Sequence, residues 1–206
     1  MSLIAWGYNI LAVPVSTPAK SLKDLIALAK AKPGGLKFSS GGNGAPGHLA
    51  GELLKREAKI ELVHIPYKGA PAGAIALLTG DVDMMIGAIG VLAPHIKSGK
   101  VRALATSAPQ RITAYPELPT FVELGYPTVQ IRDWHGIVVP AASPRNVIER
   151  LHVEIAKAVM LSETKQRLEP LGLEPAAMGS AEFAAHIRDE LQRWSKLVRD
   201  AGIKAD

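Results

Sequence analysis

The run Phe38-Ser39-Ser40-Gly41-Gly42-Asn43-Gly44-Ala45-Pro46-Gly47-His48 gathers residue types suited to holding an anion. Its glycines let a ligand approach the main chain, and Ser39, Ser40 and Asn43 add side-chain donors. A helical pattern opens at His48, and the free N–H groups and positive dipole end of a helix start attract a carboxylate as readily as a phosphate. Gly42 to Gly47 also matches G-x-G-x-x-G literally. A dinucleotide site needs more: an acidic residue about 20 positions on, at the end of the second strand. Here that strand ends Pro66-Tyr67-Lys68, and its one acid, Glu61, stands at the wrong end. Pro46 sits where the backbone should lie against a pyrophosphate, and no G-x-x-x-x-G-K-[ST] occurs. The nucleotide reading fails on context. The loop is then either an anion site or a tight strand-to-helix turn, and residue types alone leave both open.

A second candidate lies at Tyr67 and Lys68, at the C-terminal end of a strand just before a helix, where open α/β sheets bind ligands. Lys68 could balance a carboxylate, or be a solvated lysine. Gly87 and Ala88 end the next apolar run, and their small size leaves room either for a ligand or for packing. Six histidines invite a metal or catalytic reading, but no H-E-x-x-H and no histidine–carboxylate cluster appears. His48 reads as an anion donor or a cap, and His64, inside an apolar strand, as a structural histidine. There is no G-x-S-x-G elbow and no cysteine at all, which removes thiolate chemistry and disulfides. No catalytic residue, metal or cofactor is expected.

The elements that must position these residues follow from periodicity. Asn9–Val15 reads as a strand. Ser21 and Asp24 form a capping signal for a helix whose inner face is Leu22, Leu25, Ile26 and Ala29. Leu36–Phe38 is a strand leading into the loop, with a helix from about His48 to Glu57. A β-rich run at 60–67, a helix from Pro71 to Thr79, an apolar strand at 82–89, a short helix through Ile96 and a strand at 101–106 complete the series. Such alternation predicts βαβ crossovers and a mainly parallel sheet. Residues 107–128, with Pro109, Pro116, Pro119 and Pro127, read as an irregular connection, and Trp134–Pro140 as one more strand. Helices follow after Ser143, after Ser162 and from Ser180, with almost no further strand. One is striped by Ile148, Leu151, Ile155 and Val159, another by Phe183, Ile187, Leu191, Trp194 and Val198.

With 206 residues the chain can form one large domain or two small lobes. Its formal charge of +5 favours anionic partners, but the charges are scattered and aromatics reach only 5%, so stacking platforms and basic tracts for nucleic acid are missing. A small anion fits better. No apolar run is long enough to span a bilayer, and no signal-peptide pattern opens the sequence. Met1-Ser2-Leu3 leads straight into Ile4-Ala5-Trp6, as if the chain started inside a folded element.

The ordered segments KFSSGGNGAPGHLAGELLK, VHIPYKG, LLTGDVDMMIG, PHIKSGKVRALATSAPQR, PELPTFVELGYP and WHGIVVPAASP resemble the solute-binding proteins of tripartite tricarboxylate transporters, the Bug family. The resemblance runs almost from end to end. It implies a type II periplasmic binding fold of two α/β lobes that closes on a small carboxylate: a dicarboxylate, a tricarboxylate, an acidic amino acid or an aromatic acid. It also implies periplasmic location, membrane components of the transporter as partners, and no enzymatic activity.

Carried onto this sequence, the cleft loop is Ser39–His48, including Gly41, Gly42, Asn43 and Gly44. The strand end at Ile86-Gly87-Ala88 matches a position where many relatives have an acid or amide, which favours simple organic acids here. Residues 10–130 would form the second lobe; residues 1–9 and 131–206 would be the hinge and the C-terminal part of the first. The first lobe's opening strand and glycine-rich loop are not in the sequence, so the expectation is a truncated receptor that binds weakly and self-associates through uncovered helices. The alternatives are a small α/β enzyme acting on a phosphorylated or nucleotide substrate at the 38–48 loop, and a ligand-sensing module.

Overall fold

A computed structural model describes residues 2–203. Its strands are β1 (Ser2–Pro14), β2 (Leu36–Ser40), β3 (Leu62–Pro66), β4 (Met84–Ala88), β5 (Val101–Thr106), β6 (Arg132–Ile137) and β7 (Leu173–Met178). Its helices are α1 (Leu22–Ala31), α2 (Pro46–Ala58), α3 (Ala70–Thr79), α4 (Ile89–Lys97), α5 (Arg145–Met160), α6 (Ser162–Leu168) and α7 (Ser180–Asp200), with a 3-10 turn at Glu169–Leu171.

The architecture is the expected α/β one, built around β1. Over Asn9–Pro14 this strand lies between β4 and β5, antiparallel to both, while β2 runs parallel to β3 and to β4. The four strands of the βαβ series therefore share one direction, as the alternation predicts, and β1 runs against them in their midst. The sheet is mixed for that reason. Over Ser2–Tyr8 the same strand lies between β6 and β7, again antiparallel to both. Flanked on both edges and covered on both faces, β1 is buried along nearly its whole length. It therefore reads as a continuous apolar run rather than an alternating one.

Two apolar layers sandwich the sheet around β1's second half. Leu11 and Val13 join Leu22, Leu25, Leu36, Phe38 and Leu54 on the face covered by α1 and α2. Ile10 and Ala12 face the other way, with Leu77, Met85, Ile89 and Leu92 under α3 and α4. The Ser21 cap is present, its hydroxyl accepting the Asp24 N–H at 3.1 Å.

Two expectations for the C-terminal stretch are corrected. It does contribute a strand, β7, which carries Pro175 and no β-branched residue and so gives little strand signal. Nor is α7 left without cover: Leu197 is buried in the α1/α2 layer, and Trp194 and Val198 pack against it. Leu191, assigned to the inner stripe, is instead 62% exposed. On α5, Val159 is buried while Leu151 and Val153 stay exposed.

Candidate functional site

The 40–47 loop sits where β2 hands over to α2, at the C-terminal end of the parallel strands. Gly44 adopts φ +73, the left-handed region open to glycine, and the Ala45 N–H closes a turn onto the Gly42 carbonyl at 3.2 Å. Pro46 takes the first helical position, where its missing N–H costs nothing. The N–H groups of Gly47 and His48, in the first turn of α2, have no acceptor within the helix. Gly47 is there for a close approach: a Cβ at this position would lie 1.9 Å from the Ile86 carbonyl oxygen. The start of α2 is thereby seated directly on β4.

Both serine hydroxyls are committed inside the protein. Ser39, fully buried, donates to the Gly73 carbonyl at 3.1 Å and ties β2 to α3. Ser40 Oγ lies 2.9 Å from the Gly42 carbonyl and 2.7 Å from His64 Nε2, and accepts the Gly42 N–H at 3.2 Å. The serines shape the loop from below, and the Gly42 and Ala45 N–H groups are likewise turned inward, to Ser40 and to the Gly42 carbonyl. Asn43 stands at the loop's tip, half-exposed.

His48 closes the loop from the other side. Its Nδ1 accepts the Gly44 N–H at 3.0 Å, which places the ring proton on Nε2, 3.8 Å from Glu52 Oε1. The ring stacks on His64, with centroids 3.7 Å apart and planes 11° from parallel, and Phe38 lies beyond at 4.8 Å from His64. Burial holds the His48 pKa below the usual imidazole value, with Lys55 acting the same way and Glu52 against it.

The Tyr67–Gly69 segment lies directly against the loop. The Tyr67 N–H donates to the Ser40 carbonyl at 3.3 Å and the Gly69 N–H to the Gly41 carbonyl at 3.1 Å. Lys68 is exposed, and among the described residues its ammonium makes no hydrogen bond or ion pair. Ala88 is half-buried and pairs with Asn9, on the same side of β4 as Ile86 and the α2 start. Gly87 is buried, and its missing side chain makes room for Met85, whose Cε would lie 2.6 Å from a Cβ there. That is the packing alternative for Gly87.

Next to the α2 start opens a cleft of about 390 Å³ lined by Pro46, Leu49, Asp133, His135, Glu190 and Trp194. Asp133 is joined to Asn9 by a hydrogen bond of 3.1 Å from the amide nitrogen, and burial raises its pKa. Asn9 and Asp133 gave no sign of themselves in the sequence, because their pairing spans strands far apart in the chain, whereas His64 is the structural histidine it reads as, bonded to Ser40 and stacked on His48. Gly47 did leave a trace, as a glycine just after a helix-starting proline. Among the described residues no three metal-binding side chains converge, and no helix is long and apolar enough to cross a membrane.

Comparison with known proteins gives this geometry its class. Residues 2–203 match the model of the tripartite tricarboxylate transporter family receptor, and the chain belongs to that family. Among solved structures, R. palustris Rpa4515 with adipate is 29% identical, with TM-score 0.92 over 100% of this chain and 69% of its own. The periplasmic binding protein BugD is 26% identical at TM-score 0.89, over 100% of this chain and 69% of its own. MatC (Rpa3494) from Rhodopseudomonas palustris with bound malate is 26% identical at TM-score 0.85, over 96% of this chain and 68% of its own. The chain spans 59% and 60% of the length of the first curated relatives it matches, at 34% and 32% identity. The family is one of solute receptors rather than enzymes.

Proposed function

We propose that this chain is the carboxylate-holding part of a periplasmic receptor that captures a small organic acid and presents it to the membrane components of a tripartite tricarboxylate transporter. The observation that carries the reading is the coincidence of a helix start with unpartnered first-turn amides and a match, over the whole of this chain and 69% of the other, to a structure solved with adipate. A carboxylate seated at the 40–47 loop would receive main-chain N–H groups of Gly41, Gly47 and His48, together with the α2 dipole. Lys68, beside the loop and without an ion partner among the described residues, would add positive charge, and Tyr67 and Ala88 would border the ligand.

In this reading residues 10–130 form the ligand lobe. Residues 1–9 and 131–206 form the hinge and part of a facing lobe. A clamp contributing donors from one side loses contacts and preorganisation, so weak binding is expected. Uncovered side chains such as Ile137, Val138 and Leu151 would bring two copies together.

Thermal shift of the purified chain against adipate, malate, succinate, citrate and glutamate, with NAD as control, tests the reading. At a hundred times Kd a single site adds about 2.7 kcal/mol, so one acid is expected to raise Tm by roughly 5 °C or more. A response to NAD or a sugar phosphate, with none to any organic acid, would overturn it.

A further inference from the structure

Behind the loop, three elements bring their polar groups to one point. From α2 come His48, Glu52 and Lys55; from β2 come Ser40 and Phe38, neither of which titrates near neutrality; from β3 comes His64. β4 contributes only the main chain of Ile86 beneath Gly47. We propose that His48 is a positioning residue whose neutral ring, protonated at Nε2 alone, holds the 41–47 turn in its amide-presenting shape and lets go of it when Nδ1 takes up a proton.

The Gly44 N–H points at Nδ1 from 3.0 Å, and an N–H cannot donate to a nitrogen that itself carries a proton. Imidazolium would set two donors against each other in a residue only 6% exposed, leaving the Gly44 amide without its partner. Two neighbours oppose the charge as well: His48 is the third residue of α2, next to the positive end of the dipole, and Lys55 is one turn beyond Glu52. Glu52 alone favours it, at 3.8 Å, and Glu52 is already engaged by Lys55 at 2.7 Å. The same turn carries the donors of the proposed carboxylate site, so the loop's shape and its grip on an anion would fall together as pH drops; this last step rests on the proposed function.

The test separates the two. In the ligand-free, ¹⁵N-labelled chain, imidazole correlations read the tautomer and the Gly44 amide reads the hydrogen bond between pH 8 and pH 4.5. The expected result is the Nε2–H tautomer at pH 8, with the Gly44 amide shift following the His48 titration. His48→Asn, whose Oδ1 can accept the same N–H but cannot protonate in this range, should flatten that titration while the spectrum stays otherwise folded. A ring protonated at Nδ1, or a Gly44 titration unchanged in the variant, would overturn the proposal. Adipate affinity is then compared between wild type and H48N at each pH, so that the ligand's own protonation divides out. The wild-type Kd should rise relative to the variant's by roughly tenfold per pH unit below the His48 pKa; a constant ratio overturns the link to binding. Expected spectra with no adipate binding at any pH would sink the carboxylate reading and leave the loop's anchor in place.

Discussion

At Gly47 the backbone of α2 comes so close to β4 that a methyl group would stand 1.9 Å from the Ile86 carbonyl oxygen. Nothing flexible is available to yield, because both partners are main chain. Gly47→Ala should therefore lift α2 off β4 and lower stability by roughly 2 kcal/mol or more, read as a fall in guanidinium midpoint at unchanged m-value. Ligand response should fall with it. At this scale the sequence said where the loop is but not how it is built. Ser39 and Ser40 look like ligand donors in a one-dimensional reading, yet their hydroxyls are turned to Gly73, Gly42 and His64. A serine's direction depends on which strands flank it, and no local pattern states that.

Among the elements, those from α1 to β5 were legible because each is a short βαβ step with its own stop: Gly80 in the left-handed region ends α3, and the Ser21 cap opens α1. β7 was not legible. Leu173–Met178 earns its strand geometry from pairing with Leu3–Gly7, at the far end of the sequence, rather than from its own propensity. The seam it makes is chemically marked: the Tyr8 hydroxyl donates to Glu174 at 2.7 Å, and Arg132 of β6 lies 3.7 Å from the same carboxylate. Burial, then the Glu174 hydrogen bond and charge, push the Tyr8 pKa up to about 12. The folded chain keeps this proton longer than the unfolded chain does. The associated stability is thus full below pH 10 and is lost as pH rises from 10 to about 12. An absorbance titration at 295 nm should show one tyrosine ionising near pH 12 that disappears in Tyr8→Phe, and the variant should lose less stability across that window.

For the molecule as a whole, the apolar side chains still facing water set the expected behaviour. Val138 is 64% exposed and Leu161 58%, and Trp134, Ile137 and Leu151 are also open, on β6, its continuation and the helices beside it. Trp134 and Ile137 lie on opposite faces of β6: Trp134 opens toward α7, whereas Ile137 lines one hollow with Leu151 of α5, and this second group, with Val138 just beyond, is where copies are expected to meet. Sedimentation velocity from a few to a hundred micromolar should show mass rising with concentration, and Ile137→Lys with Val138→Lys should hold the chain monomeric. A single monomeric boundary throughout would argue against pairing of copies.

β1 also has a consequence in time. One strand serves both halves of the sheet, yet the partners of its first half, β6 and β7, are synthesised long after it, with Leu3 finally opposite Met178. Loop closure over that separation must come before those contacts give anything back. While the chain is being made, Ser2–Tyr8 is an apolar strand with two open edges, the kind of segment on which growing chains aggregate. Synthesis therefore runs ahead of assembly here: the βαβ series can fold as it emerges, but the half of the sheet built on Ser2–Tyr8 cannot close until β7 has been made.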